Sequence, residues 1–355
     1  MTNQSFTASY LSVAMTNTGM TENTGENTVT PSSPSGFDFY VHCAVMIMGI
    51  VGLASNGIVL YALVASKKHQ KNILILRQNV FNFFTCFFAM IVHFIQLFDI
   101  YLTGSRGYWL CTMLFSGMLV SWGNISSLII VAAIAVERYL KIVHPTWSHK
   151  ILRGRTVYNL AMLIAWLVGF AAISPVFPTT STMDGVCYAY MIWSSATASM
   201  VYFMWNFLSF YVLMLSIFIF CYWRILVVIR RQATVMAGHS AAGPTHQSNQ
   251  ARNNVVSTMI LVSSLYAISH FPGYICFLLL NLYPYPLPVE SITSGTIFLE
   301  MSYLCIGSPL IYAANFNPVK KVLLRMIRCQ KAEEETTESV NNATATNHRT
   351  RTSRT

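Results

Sequence analysis

The sequence predicts an all-α membrane protein, a seven-transmembrane helix bundle with a short amphipathic helix after the seventh span. Three observations carry that expectation. Hydrophobic residues make up 54% of the 355 and charged residues only 10%, whereas soluble domains carry roughly 25% charged residues. Seven apolar stretches reach the roughly 20 residues that a bilayer crossing requires. The basic residues gather on alternate connections, as they do on the cytoplasmic side of multi-pass proteins.

In order, the stretches run over approximately 40–65, 73–97, 111–143, 156–177, 200–230, 254–282 and 291–313. None alternates as a barrel strand does, and backbone in lipid has no water to bond, so each reads as a helix. The third, fifth and sixth exceed a bare crossing and are expected to tilt or project from the bilayer. Of 22 Lys and Arg, only Arg106 lies on the side shared by the amino terminus and the second, fourth and sixth connections. Lys67, Lys68 and Lys71, then Lys150, Arg153 and Arg155, then Arg224, Arg230, Arg231 and Arg252 mark the other side. Lys320, Lys321, Arg325 and Arg328 continue it into the tail. A multi-pass plasma-membrane protein with an extracellular amino terminus follows. The net charge of +10 is a topology signal and an attraction to anionic membrane lipid, not the mark of a nucleic-acid-binding domain.

Residues 1–39, rich in Ser, Thr and Asn, form an extracellular segment with an N-glycosylation acceptor at Asn3, in Asn3-Gln4-Ser5. Residues 40–316 hold the spans. The connection 178–199 contains Cys187, and the connection 231–252, built of Ala, Gly, Ser and Gln, reads as disordered. Of eight cysteines, only Cys111 and Cys187 are placed to meet in the oxidising compartment. Within 317–329, Val319, Val322, Leu323, Met326 and Ile327 share one helical face and the four basic residues the other, the pattern of a helix lying on the membrane surface. Cys329 at its end is a candidate palmitoylation site. Residues 330–355 are acidic and then Thr-rich, a disordered cytoplasmic tail.

Glu137-Arg138-Tyr139, followed by Leu140-Lys141-Ile142-Val143-His144-Pro145, resembles the D/E-R-Y motif and flanking loop of rhodopsin-like (class A) G-protein-coupled receptors. Asn56-Gly57, Trp166, Tyr222, Pro272 and Ser308-Pro309-Leu310-Ile311-Tyr312 fall in the family's order, so the resemblance covers about 40–329. It implies a disulfide from Cys111 to Cys187, and a resting state in which Glu137 holds the Arg138 guanidinium. It implies that activation turns Arg138 toward a heterotrimeric G protein, with arrestin and receptor kinases acting through the tail. Arg138 alone also reads as a snorkelling anchor. Tyr222 and Tyr312 would stabilise the opened inner cavity through their hydroxyls, or else belong to an interfacial aromatic belt. Pro272 and Pro309 are expected to kink their helices. The resemblance implies no cofactor, no resident metal and no enzyme activity.

Departures from the family pattern are informative. Asn82 stands where the family has a buried acid, Ser308 replaces the asparagine before Pro309, and His270 replaces the large aromatic two residues before Pro272. The fifth span lacks its proline, with Met214 there, and Cys111 to Arg138 is about two residues longer than the family spacing. Asn82, Ser127 and Ser308 make a weak oxygen set for sodium. Arg252 sits where many relatives carry an acid that locks the third-span arginine. For His270 two readings stay open: a neutral ring bonded to a hydroxyl such as Ser308 or Ser269, or a proton-sensitive switch for which Glu300 is the nearest acid in sequence. An opsin's Schiff-base lysine is missing from 291–313, and an amine receptor's aspartate is missing between Cys111 and Val136. A transporter, with its paired repeats, and a non-signalling scaffold are the competing classes. The ligand pocket is expected from His93, Gln96, Asp99, Trp193, Tyr274 and Glu300. Its acidic rim of Asp99, Asp184 and Glu290, beneath an open second outer loop, favours a peptide over a small molecule.

Overall fold

A computed structural model describes residues 36–65, 72–98, 100–152, 154–183, 185–189, 192–237, 244–282, 297–316, 319–325 and 328, with the side chains of 36–38, 196, 233–255 and 276–282 outside the description. Asn3, Asp99, Asp184, Glu290, Cys329 and the side chain of Arg252 therefore lie outside the described residues.

The chain enters through α1 (Gly36–Ala65) and returns through α2 (Ile73–Ile95). A short α3 (Gly104–Leu110) runs through a wide, π-type turn at Cys111–Phe115 into α4 (Met118–Val143). A connecting α5 (Pro145–Ile151) leads to α6 (Arg155–Ile173), the single turn α7 (Val176–Thr179) and a hairpin of β1 (Ser181–Met183) with β2 (Val186–Tyr188). α8 (Ala196–Asn206) passes through a second wide turn, Phe207–Val212, into α9 (Leu213–Ala237). α10 (Pro244–Leu282) follows, and the last long helix passes through a third wide turn, Tyr303–Gly307, into α11 (Ser308–Asn315). Among the described residues six helices are long and apolar enough to cross a membrane, at Phe39–Ala65, Ile73–Ile95, Gly104–Val143, Arg155–Thr179, Thr197–Gln232 and Ile297–Asn315. α10 contains the expected sixth span and completes a seven-helix bundle.

α4 is the axial helix, packing against α2, α6 and α9, while α2 also packs along α1. The buried seam runs through Ile75, Ile130, Ile134, Ile225, Met259 and Leu304. Small residues let helices approach closely in lipid, where packing rather than hydrophobicity drives association. At Gly52 a Cβ would fall 2.5 Å from the Cys86 Sγ and 2.7 Å from the Cys305 Cβ, so only glycine lets the first, second and seventh helices meet there.

Three local differences from expectation have physical causes. The 231–252 connection is mostly helix, because α9 extends to Ala237 and α10 begins at Pro244; proline at a first turn is pre-organised for a helix. The second outer connection folds into the β1–β2 hairpin, with Met183 opposite Val186 and Gly185 at φ 80°. The Asp184-Gly185 pair is the strongest short hairpin signal a sequence carries, and the loop reading passed over it. The third span is broken between Cys111 and Met118, where the wide turn and the left-handed Gly117 (φ 67°) accommodate the two surplus residues. Nothing lies within 4 Å of a Cβ at Gly117, so a substitution there meets strain and not crowding. Gly117→Ala is expected to cost about 1–2 kcal/mol and lower the melting temperature of the purified protein by a few degrees; an unchanged melting curve would refute that account.

Candidate functional site

α4 ends in the Glu137-Arg138-Tyr139 turn. Glu137 is 5% exposed. Its Oε1 accepts from Lys141 Nζ, one turn on, and from the Tyr158 hydroxyl at 3.3 Å. Arg138 Nη2 is 4.0 Å from the other carboxylate oxygen and donates to Asn72 Oδ1 at 3.3 Å, and its Nε is buried without a hydrogen-bond partner. The carboxylate expected to hold Arg138 thus engages Lys141 more closely, as i,i+4 spacing permits, and the arginine is only loosely tied. Tyr139 bonds His144 Nε2 at 3.1 Å and packs against Phe220.

Tyr222 and Tyr312 are both interior, which removes the aromatic-belt reading. The Tyr222 hydroxyl shares a 3.0 Å bond with Ser263 Oγ and reaches the Met259 carbonyl at 3.3 Å. The Tyr312 hydroxyl donates to Gln78 Oε1. Between them Ser127 Oγ donates to Asn82 Oδ1, and Asn82 Nδ2 to Ser308 Oγ at 3.4 Å. The three polar residues weighed for sodium therefore bond one another.

Pro309 behaves as its chemistry requires. Pro309 has no N–H for the Cys305 carbonyl four residues back, and Ser55 Oγ takes that oxygen at 2.7 Å. Asn56 Nδ2 reaches the neighbouring Leu304 carbonyl at 3.2 Å. The fifth helix keeps its widened turn at Phe207–Val212 without a proline. The Tyr266 hydroxyl donates to the Phe210 carbonyl at 3.1 Å, and Tyr211 to the Ala267 carbonyl at 3.3 Å, on the stretch of α10 that precedes Pro272. Neither tyrosine was singled out in the sequence, since an aromatic in a span has no pattern that separates bonding from packing.

At the other end the Cys111–Cys187 disulfide ties β2 to the wide turn, with the two Cα atoms 5.3 Å apart. His93 Nδ1 faces His42 Nδ1 at 2.9 Å across α1 and α2, and Gln96 Oε1 is buried without a hydrogen-bond partner. Trp193 packs against Tyr202. Tyr274 sits beside Tyr211 and within electrostatic reach of Glu300. His270 Nδ1 is 3.3 Å from Glu300 Oε1, and its ring lies 4.3 Å from that of Tyr266. The partner of His270 is thus the carboxylate, while Ser308 is bonded to Asn82. Of the six residues proposed for the pocket, Glu300 meets His270 and Tyr274 packs on Tyr211; Trp193 packs on Tyr202, and His93 belongs to the α1–α2 seam.

The family model for the 7 transmembrane receptor (rhodopsin family) matches residues 55–312. The chain is 22% identical to galanin receptor type 1 of Rattus norvegicus over 89% of its own length and 91% of that protein. It is 32% identical to the substance-K receptor of Homo sapiens over 41% of this chain and 37% of that one. With melanopsin-B of Gadus morhua it shares 29% identity over 40% of this chain and 24% of the relative.

Proposed function

Because the chain belongs to the rhodopsin family of seven-transmembrane receptors, we propose that it is a plasma-membrane receptor, amino terminus outside, that binds an extracellular ligand. Binding drives nucleotide exchange on a heterotrimeric G protein. The observation that supports it best is Arg138, half-buried at a helix end with one 3.3 Å hydrogen bond and a slack 4.0 Å contact to its own neighbour. A guanidinium so loosely held is available to an incoming partner, and its five donors suit a carboxyl terminus or backbone carbonyls. The family consists of signalling receptors rather than enzymes. A peptide is the favoured ligand class, from the acidic rim of Asp99, Asp184 and Glu290; two relatives are named as receptors for galanin and substance K. With no lysine in residues 291–313, the likeness to melanopsins does not extend to a Schiff base. Arrestin and receptor kinases are the further partners of the tail, Asn3 the glycosylated residue and Cys329 the palmitoylated one. GTP exchange in membranes from expressing cells, stimulated by candidate peptides, tests the reading; a solute flux without exchange would establish the transporter alternative instead.

No acid of α10 pairs with Arg138 among the described residues, and Arg252 stands at the position where such an acid would lie. Two like charges cannot form a latch. Appreciable ligand-independent exchange is expected, and Arg252→Glu should lower it roughly fivefold, the effect of about 1 kcal/mol at a partly exposed pair. A basal rate that does not respond to this reversal would remove the electrostatic explanation.

A further inference from the structure

An ionised carboxylate within a membrane bundle is costly and needs a partner. Among the described side chains the acids are Glu137, compensated by Lys141 and Tyr158, and Glu300. Glu300 keeps 28% of its surface exposed, while His270, its 3.3 Å partner, is 3% exposed. The carboxylate is thus reachable and the imidazole is behind it. Aromatic rings surround the imidazole, those of Tyr266 and Tyr303 lying 4.3 and 5.8 Å from that of His270. Ring faces attract cations within about 6 Å. One polar atom here, His270 Nε2, is buried with no hydrogen-bond partner, which an interior polar group rarely tolerates.

The geometry points to a subsite for an organic cation, an ammonium or guanidinium of the ligand, with Glu300 as its counter-ion and His270 as the group that the cation displaces. It rests on the ligand-receptor reading and names the chemistry that reading leaves open. The third span offers no acid between Cys111 and Val136, and among the described side chains the acid at this end of the bundle is Glu300 of the seventh helix. A full positive charge on the ligand competes for the carboxylate that otherwise faces the imidazole. His270 lies two residues before Pro272 on α10, so its release unlinks the sixth helix from the seventh beside that proline.

The test is thermal unfolding of the purified full-length protein in detergent, with phenethylammonium, its neutral isostere 2-phenylethanol, and the dipeptide amide acetyl-Phe-Lys-amide. The cations should raise the melting temperature by roughly 2–4 °C and the alcohol should not. Which cation acts separates a small amine from a peptide side chain. Glu300→Gln should abolish the shift, and His270→Gln, which removes the competitor, should enlarge it. A shift equal for alcohol and cations, no shift at all, or one that survives Glu300→Gln overturns the assignment. If Glu300→Gln gives no cooperative unfolding, His270→Gln decides: a larger shift supports the subsite, and an unchanged or lost shift overturns it. GTP exchange is measured separately. A Glu300-dependent cation shift without exchange would defeat the receptor reading and leave this one standing.

Discussion

Arg138→Ala is expected to reduce G-protein activation on the order of 100-fold while leaving surface expression near wild type. The magnitude is that of removing one member of a desolvated, hydrogen-bonded charged contact, about 2–5 kcal/mol. Retained expression follows from the native contacts of the residue. Arg138 gives up a single 3.3 Å bond to Asn72, and its loss does not orphan Glu137, which keeps Lys141 and the Tyr158 hydroxyl. A snorkelling anchor predicts the reverse, poor expression with normal signalling per receptor. Measuring surface density and GTP exchange in the same cells separates the two, and exchange per receptor equal to wild type would overturn the coupling role.

The bundle was legible because lipid imposes a coarse and almost obligatory pattern. Twenty apolar residues and a sided distribution of Lys and Arg define a span and its direction without any side-chain detail. The motif positions were legible for a related reason: Arg138, Pro272 and Pro309 are residues that a membrane helix admits only with a structural or functional cause. What the sequence withheld were pairings across helices. Glu137 was expected to hold Arg138, yet the i+4 lysine is nearer, and that competition depends on rotamers. His270 had a serine or Glu300 as its open choices, and only the register between α10 and the seventh helix decides for Glu300. The widened turn at Phe207–Val212 forms where the usual proline is missing. The Phe210 carbonyl within it accepts from Tyr266, a contact between residues 56 apart, which no local pattern encodes. The hairpin, by contrast, had a local signal in Asp184-Gly185.

Replacing Cys111 or Cys187 with Ser is expected to lower surface expression and agonist binding together, and by equal amounts for either residue. The bridge closes a chain separation of 76 residues, for which the loop-entropy model gives about 4 kcal/mol. That exceeds a quarter of the roughly 5–15 kcal/mol of net stability typical of folded proteins. The structural consequence is specific. β2 is held to the wide turn Cys111–Phe115 through this bond, and the backbone N–H of Leu102, just before α3, donates to the Gly185 carbonyl at the hairpin tip at 3.0 Å. Without the bond, the hairpin keeps that hydrogen bond and few other ties, so the loop should leave the mouth of the bundle. The left-handed Gly117 just below would then also lose a restraint on its strained segment. The double substitution should be no worse than either single one, because each single already breaks the same bond. Binding and expression at wild-type levels in both single variants, or a double variant clearly worse than the singles, would show that the cysteines act separately and not as a bridge.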